Sequence, residues 1–528
     1  MNPTQITRAM RRSRAATVAL ALAASATVGG CLKVTPPPAD LASRDVGRPD
    51  RFSAELAAGD RATSGDVPAG WVDDFGDPVL SDLVEEAWAR NPDLYVAAAR
   101  VEEAAASLRV ATSLLFPQAS AFGTARRVDN GIVDADEVYA VGVQATWEID
   151  LWGRIRASRL AAANVAKSAG LDWLQARHSI AAAVAESYFA LVAADGQLQI
   201  DLQLLEAEQF TAQTTRQRVA AGLGTSLDEN LAESNVSLAE AAVRDDLAAV
   251  EAAQRSLELL LGRYPAAELE AATGDLPGLP TETVGVGVPS QLLERRPDVR
   301  SAARRVDAAY YGVKQAQAAR LPSLTLSADV ATAIDPDDLL SELTASLIAP
   351  LFTGGALQAQ QVAATARQRQ ALGEYASVAL RAFAEVEDAL ANERYLAERE
   401  AQLADADERL RQASATAEGR YEQGLLTILD LQQVRRQDFQ TRTQLLNVRF
   451  EQLRQRLNLY LALGGPVYPA APDGGVVGPT NDLLDDLFVP SSRPPLGGEL
   501  QVGGPLPTDR DTAPDTTPDV QPEGNDAN

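Results

Sequence analysis

The chain contains one unit twice. Asn91-Pro92-Asp93 opens a helix-like run that ends at Pro117, and Arg296-Pro297-Asp298 opens another that ends at Pro322. Ala97, Ala98, Arg100, Val101 and Ala104 return as Ala302, Ala303, Arg305, Val306 and Ala309. Farther on, Arg218, Gly222, Leu223, Thr225, Leu227 and Asp228 return as Arg420, Gly424, Leu425, Thr427, Leu429 and Asp430, and Leu261-Gly262 returns as Leu463-Gly464. The offset of about two hundred residues exceeds the ~20–50-residue unit of a solenoid, so half a domain is duplicated. Two related halves impose an internal pseudo-symmetry on whatever the chain builds.

The first thirty residues read as an export signal. Arg8, Arg11, Arg12 and Arg14 form a basic head, and Ala15 to Val28 is an apolar stretch too short to span a membrane. Val28-Gly29-Gly30-Cys31 resembles a bacterial lipobox, which makes Cys31 the expected site of cleavage and acylation. It is the only cysteine, which excludes an intramolecular disulfide framework. Leu32, rather than an aspartate, follows it and points to outer-membrane sorting. One acyl chain holds weakly, so several chains or further insertion are expected. Removing the signal deletes four arginines and no acids, taking the formal charge from −26 to −30. So acidic a chain is a poor nucleic-acid binder. No run of eighteen apolar residues follows the signal, so no helical membrane span is expected.

Residues 31–70 are rich in Pro, Asp and small residues and read as a tether. Residues 71–275 and 276–465 hold the two repeats, and 466–528 form an acidic Pro/Gly-rich tail of disordered composition. An apolar island, Leu483 to Phe488, interrupts that tail. Each repeat reads as helix, strand pair, long helix, turn and returning helix. In the first, a helix runs from about Ser81 to Thr112. Tyr139, Val141, Val143, Ala145, Trp147 and Ile149 then alternate with Ala140, Gly142, Gln144, Thr146, Glu148 and Asp150, a strand with one apolar face. Ala119 to Arg126 is its hairpin partner, with Asp129-Asn130-Gly131 in the loop. Arg154 to about Ala221 contains no proline and reads as a helix on the order of 100 Å long. Gly222-Leu223-Gly224 turns the chain back toward Leu261. In the second repeat, helix Pro289–Ala319 precedes strands from Ser323 and from about Leu343 to Leu351, with Asp335 to Asp338 between them. Helix Ala356–Tyr421 then turns at Gly424 and returns to Leu461. Leu446, Phe450, Leu453, Leu457 and Tyr460 mark a seam on that return.

Four strands leave open edges, which membranes and solution both penalise. Strands near ten residues suit a tilted membrane crossing. Phe116, Trp147, Trp152 and Phe352 sit near strand ends, where interfacial aromatics belong. Pooling strands from several copies removes the edges. Eight strands give a barrel largely filled by side chains, and three copies with twelve strands are the smallest set that leaves a bore. A soluble hairpin packed on helices is the alternative.

With these elements in place, the chain resembles the outer membrane factor family of TolC-like exit ducts, specifically the lipoprotein subgroup of RND-type multidrug efflux systems. The resemblance covers Trp71 to Leu463. Its most specific pieces are Trp147-Glu148-Ile149-Asp150-Leu151-Trp152-Gly153-Arg154, Val288 to Asp298, Ala349 to Gly355, and Arg420-Tyr421-Glu422-Gln423-Gly424. It implies a mainly α fold with a membrane β-barrel, in which a homotrimer forms a 12-strand barrel and a long α-helical periplasmic barrel. A periplasmic adaptor and an inner-membrane RND-type pump are the implied partners, alongside outer-membrane lipids. Neither a cofactor nor enzymatic chemistry is implied. A type I secretion duct and a non-conducting coiled-coil lipoprotein are the rival readings.

The resemblance also implies site residues. Asp228 and Asp430 correspond to acids that line the closed periplasmic aperture, where rings of carboxylate favour cations. Thr225-x-x-Asp228 and Thr427-x-x-Asp430 equally read as helix caps. Relatives often carry a second aspartate where Gln433 stands here, while Arg436 keeps the place of an arginine that ties the closed tip. Gly222, Leu223, Gly424 and Leu425 match the tips that meet the adaptor, although glycine also ends helices on its own account. Asp134, Asp136 and Glu137 read as an external acidic loop without calcium-ligand spacing. His178, the only histidine, reads as structural.

Overall fold

A computed structural model describes residues 52–53, 62–63, 70–128, 136–269, 275–280, 284–333 and 339–467. Cys31, Asp134, the turns at Asp129 to Gly131 and Asp335 to Asp338, and the Leu483 to Phe488 island lie outside these residues. In chain order the elements are strand β1 (Ala62–Thr63), helices α1 (Pro78–Arg90) and α2 (Pro92–Ser113), strands β2 (Gln118–Val128) and β3 (Asp136–Ile149), and helices α3 (Arg154–Ala220) and α4 (Ser226–Leu260). Strand β4 (Val284–Gly285), helices α5 (Pro289–Arg295) and α6 (Pro297–Ala318), strands β5 (Ser323–Ala333) and β6 (Leu339–Ile348), and helices α7 (Ala356–Glu422) and α8 (Ile428–Leu463) follow.

Two expected helices are each split. The helix read over Ser81–Thr112 breaks at Asn91 (φ −64°, ψ 124°), and that read over Pro289–Ala319 breaks at Arg296 (φ −64°, ψ 125°). The cause is the following proline, whose ring excludes its predecessor from helical ψ. Asn91 uses the break. Its side chain accepts from the Asp93 and Leu94 amides at 2.9 and 3.3 Å and donates to the Leu260 carbonyl at 2.8 Å, tying α2 to the end of α4.

Helices α3 and α7 each run 67 residues, roughly 100 Å. An 18-residue window in α3 reaches mean hydropathy 1.2 and is half buried in the protein. The helix holds no uninterrupted run of eighteen apolar residues, as the sequence indicates, and the inward stretch from Ala181 to Val192 raises its hydropathy, since its alanines, valines and aromatics face the core. On the sheet side the neighbours run α2, α3, α6, α7; on the far side they run α4, α3, α8, α7. Helix α3 is therefore central, while α2 and α4 form one edge of the chain and α7 forms the other.

The main core lies beside the middle of α3. Trp71 stacks on Tyr460 (5.8 Å, 16°) and meets Phe75 edge-on, and Phe75 packs on Phe189. The buried phenols are satisfied: Tyr188 donates to Asp77 at 2.7 Å and Tyr460 to Asp74 at 3.1 Å. Leu453, Leu457 and Tyr460 of the expected seam are buried here, with Phe450 packed against them. Part of the segment read as a tether is docked. Phe52 is fully buried, the Ser53 amide donates to Glu387 at 2.7 Å, and β1 pairs in parallel with β4.

Strands β2, β3, β5 and β6 form one antiparallel sheet in that order. Across it, Ala121, Val143, Val330 and Ser341 share a row, as do Ala119, Ala145, Ala328 and Leu343. One face carries Tyr139, Val141, Val143, Trp147, Leu326, Leu343 and Leu347; the other carries Ser120, Gln144, Thr146, Asp329 and Glu342. Asp136 and Glu137 are not loop residues as expected, because β3 begins at Asp136 opposite Val128. Gly142 is required by close approach: an added Cβ would stand 2.5 Å from the Val330 carbonyl oxygen and 2.9 Å from the Phe122 ring. Strand β6 ends at Ile348, three residues short of the expected Leu351. Among the described residues, the outer edges of β2 and β6 are unpaired.

Candidate channel gate and barrel edges

The two helical tips are built alike. At the end of α3 the Gly222 amide donates to Val219 (3.0 Å) and Leu223 to Arg218 (2.8 Å); at the end of α7, Gly424 donates to Tyr421 (2.9 Å) and Leu425 to Arg420 (2.8 Å). Both glycines have φ 74°, the left-handed geometry that lets the last carbonyls be satisfied. The turns leave Leu223 (72 %) and Leu425 (71 %) in solvent. Leu227 and Leu429, one helical turn on, are exposed as well.

Thr225 and Thr427 cap the two returning helices, and the aspartates three residues on support those caps unequally. Asp228 accepts from the Thr225 amide (2.9 Å) and hydroxyl (2.8 Å), while its own amide donates to the Thr225 hydroxyl (3.3 Å). This complete box holds its carboxyl below the ordinary value, chiefly through the Thr225 amide. Asp430 accepts from the Thr427 hydroxyl (2.6 Å) and donates its amide back at 3.3 Å. The two carboxylates line one cleft at the tip together with Arg218, Tyr421, Leu223 and Leu425. Gln433 and Arg436 point outward on α8, away from this cleft.

The sequence reading missed the contacts that join the halves. Tyr421 shares a 2.6 Å hydrogen bond with Thr215 and covers Arg218, whose Nη1 donates to the Tyr421 carbonyl at 2.7 Å. Next to them, Ala212, Ala232, Ala417, Ile428 and Leu431 form a small apolar cluster. Beyond it Arg435, not Arg436, is buried (1 % exposed). Its Nη1 donates to the Ala207 carbonyl, Glu208 and Thr211 at 3.2, 3.3 and 2.8 Å, and its Nη2 to Glu418 at 2.5 Å. Gln432 completes the set, donating to Glu208 at 2.6 Å. Ile428, Leu431, Gln432, Arg435 and Asp438 recur at spacings of three and four. Counting that face marks Arg435 as inward, which its residue type does not.

The aromatics expected at the membrane interface all lie at the helix–strand junction. Trp147 donates its indole N–H to the Leu115 carbonyl (3.0 Å) and Trp152 to Pro322 (2.7 Å). Phe116 is half exposed and Phe352 almost fully so. The surrounding motif has local causes: Glu148 pairs with Arg154 at 2.6 Å, and Asp150 accepts from the Ile155 and Arg156 amides that begin α3.

Comparison with known proteins places this geometry. The sequence profile of the outer membrane efflux protein family matches residues 83–263 and 288–465. The pyoverdine export outer membrane protein OpmQ of Pseudomonas putida is 33% identical over 417 residues, covering 75% of this chain and 87% of that protein. The cation efflux system protein CusC of Escherichia coli K12 is 27% identical, covering 79% and 93%. Among solved structures, the outer-membrane channel OprN is 28% identical with a TM-score of 0.75, covering 80% of this chain and 98% of that one. CusC follows at 25% identity with a TM-score of 0.72, covering 79% and 96%.

Proposed function

Since this chain belongs to the outer membrane efflux protein family, we propose that three copies form the exit duct of a tripartite efflux system. The duct passes small molecules from a pump and its periplasmic adaptor across the outer membrane. The observation that carries this reading is the sheet: four strands, one apolar face exposed in the single chain, and two open edges. A lipid phase over the face and further strands at the edges cover such a surface. Three copies supply twelve strands, and the helical rows extend the bore below them.

The duct does no chemistry and supplies no energy. The exposed leucines and left-handed glycines of the tips are the adaptor contacts, and Cys31 carries the lipid anchor. Asp228 and Asp430, three copies of each, ring the aperture with carboxylate and favour cations there. Relatives are named for exporting pyoverdine, cations and toluene, so this architecture does not fix the cargo.

Single-channel conductance in planar bilayers tests the reading, with the Asp228→Ala/Asp430→Ala variant beside the native chain. A small conductance that rises, or loses cation preference, in the variant supports a duct gated by these aspartates. An unchanged variant leaves the duct and reduces both residues to helix caps. Silence from folded, inserted protein of both kinds overturns the duct.

A further inference from the structure

The charges at the two ends of the sheet are sorted by sign. Residues 104–113, 154–171, 308–320 and 356–373, where the helices meet the sheet, hold nine Lys and Arg and no Asp or Glu. Residues 128–138 and 329–342, around the opposite strand ends, hold nine Asp and Glu and no Lys or Arg. The chain as a whole carries 73 acids against 47 bases, and α4 alone has eight acids and two bases. Charge that served solubility alone would not exclude acids from one end of the sheet and bases from the other.

Three of the bases lie close to the helix–strand junction and are uncommitted. Arg109, Lys314 and Arg159 stand about 6–8 Å from it along their helices. Arg109 and Arg159 are exposed and make no hydrogen bond or ion pair among the described residues, while the Lys314 ammonium rests over the Tyr310 ring at 5.3 Å. The acids nearby are already engaged, Glu148 by Arg154 and Asp150 by Arg156 and the first amides of α3. The free bases face away from the bore. Arg156 lies about ten helical turns from Val192, with Arg159 beside that stripe, and Val192 is buried in the main core. The α1 residues of that core pad the helical wall, and padding sits outside a wall whose bore must stay clear. Lys167, about three turns from Arg156, acts on Asp307 of α6, and Lys314 is about two turns from Asp307 on the same stripe. Arg109 takes the place of Lys314 in the first repeat, as Ala104 takes that of Ala309.

We propose that Arg109, Arg159 and Lys314 form a collar that binds the headgroup phosphates of anionic phospholipid in the leaflet facing the helices. The inference rests on the duct reading, which puts the sheet in the outer membrane, and adds which lipid the protein selects there. Trp147 and Trp152 at the junction mark the edge of the hydrocarbon. The three bases lie just beyond it, in the headgroup layer, and within the Debye length of about 8 Å at physiological salt. Basic side chains at that depth attract anionic lipid, and three copies present nine of them around the barrel.

Fluorescence quenching in reconstituted vesicles tests the collar on the full-length protein. Trp147 and Trp152 report contact with lipid, while Trp71, Trp88 and Trp173 lie away from the sheet and give a constant background. Brominated phosphatidylglycerol, titrated into phosphatidylethanolamine, should quench several-fold more effectively than brominated phosphatidylethanolamine. The preference should vanish in Arg109→Gln/Arg159→Gln/Lys314→Gln and near 1 M salt, where the Debye length is about 3 Å. It should survive in Arg109→Lys/Arg159→Lys, which keeps the charge. It should also survive in Arg300→Gln/Arg367→Gln/Arg369→Gln, which removes three exposed charges roughly 16–27 Å from the junction. Equal loss in this distant variant, or retention in the collar variant, overturns the proposal. So does equal quenching of the native trimer by both lipids, and if purified cell-wall sacculi then retain the native trimer but not the collar variant, the collar serves that polymer instead. Quenching by neither lipid in an intact trimer removes the sheet from the bilayer, and the duct reading with it.

Discussion

Replacing Arg435 with alanine should loosen the tip far more than any other single polar change there. The guanidinium is 1 % exposed and faces Glu208, itself 4 % exposed, so neither charge has water to fall back on. The Glu418 arm of the network is 43 % exposed, is screened, and counts for little. Losing Arg435 leaves the Glu208 carboxylate with Gln432 as its remaining side-chain partner among the described residues. Orphaning a buried charge in this way costs about 3–5 kcal/mol. At roughly 1.4 kcal/mol per factor of ten, local opening should become about a hundredfold to several thousandfold more frequent. Amide hydrogen exchange reads this directly over residues 204–221 and 415–436. Residues around Tyr188, in the separate main core, serve as the internal control. An acceleration of less than about fivefold, near 1 kcal/mol, refutes the argument. The Glu208→Leu/Arg435→Leu double variant should recover most of the loss, because apolar replacement of a buried pair is often neutral. If it stays as open as Arg435→Ala, the arginine acted through the packing of its stem and not through its charge.

Asp228→Ala should destabilise the tip more than Asp430→Ala, each by about 0.5–2 kcal/mol as for other helix caps, in exchange measurements on the first turns of α4 and α8. The Asp228 carboxyl is held below its ordinary value, so its contribution is present above pH ~4 and is lost as pH falls through the depressed folded value. Asp228→Asn should flatten that acid limb. Gly142→Ala should cost about 1–3 kcal/mol or more and abolish heat-modifiable trimers on gels. Adding Phe122→Ala should not rescue it, because the Val330 carbonyl remains in the way. Burial pushes His178 down to about 4, so stability should decline as pH drops from ~6.5 toward that value, a slope that His178→Gln removes in thermal unfolding.

The duplication, the strand pairs, the long helices and their glycine turns were legible because each depends on local chemistry. Prolines stop helices, glycines reverse them, and alternation marks a strand. The breaks at Asn91 and Arg296 were equally local and follow from Pro92 and Pro297, yet the apolar pattern running through both conceals them. The burial of Arg435 was not legible from residue type, since arginine is the side chain least expected inside. Its partners lie on α3 and α7, and nothing in the spacing along α8 says which helices flank it. The inequality of the two caps is likewise hidden. Thr225 and Thr427 stand in the same motif, but φ is −114° at the first and −79° at the second. That difference accompanies the amide bond to the carboxylate that only Asp228 receives. The docking of Phe52 lies beyond any local rule, because the core that buries it is assembled from both repeats and the adjoining Ser53 amide reaches Glu387 in the second.

Unequal repeats also decide which seam of the tip yields first. The contacts between α3 and the second repeat use Glu208, Thr211, Thr215 and Arg218 on one side and Tyr421, Gln432 and Arg435 on the other. In the three-copy ring the corresponding seam lies between copies, α7 of one against α4 of the next. There the counterparts of Glu208, Thr211 and Thr215 are Leu410, Ala413 and Ala417, and that of Arg435 is Glu233. The buried side-chain bonds cannot be rebuilt from that set, and only the arginine bond to a backbone carbonyl keeps a counterpart, Arg420 toward Val219. Glu233 instead pairs with Arg216 of its own hairpin at 3.1 Å, half in solvent, a charge-reversed and weak version of Arg435 with Glu418. The seam between copies is therefore the softer one, and widening the aperture should part neighbouring copies before it parts α3 from α8. A disulfide across the soft seam, Glu233→Cys with Leu410→Cys of the next copy, should hold the conductance low until reduced. A disulfide within the chain, Glu208→Cys with Arg435→Cys, should leave it close to the native value. If the second lock closes the channel as firmly as the first, the hairpins of one chain move against each other and the buried network is a latch that opening must break.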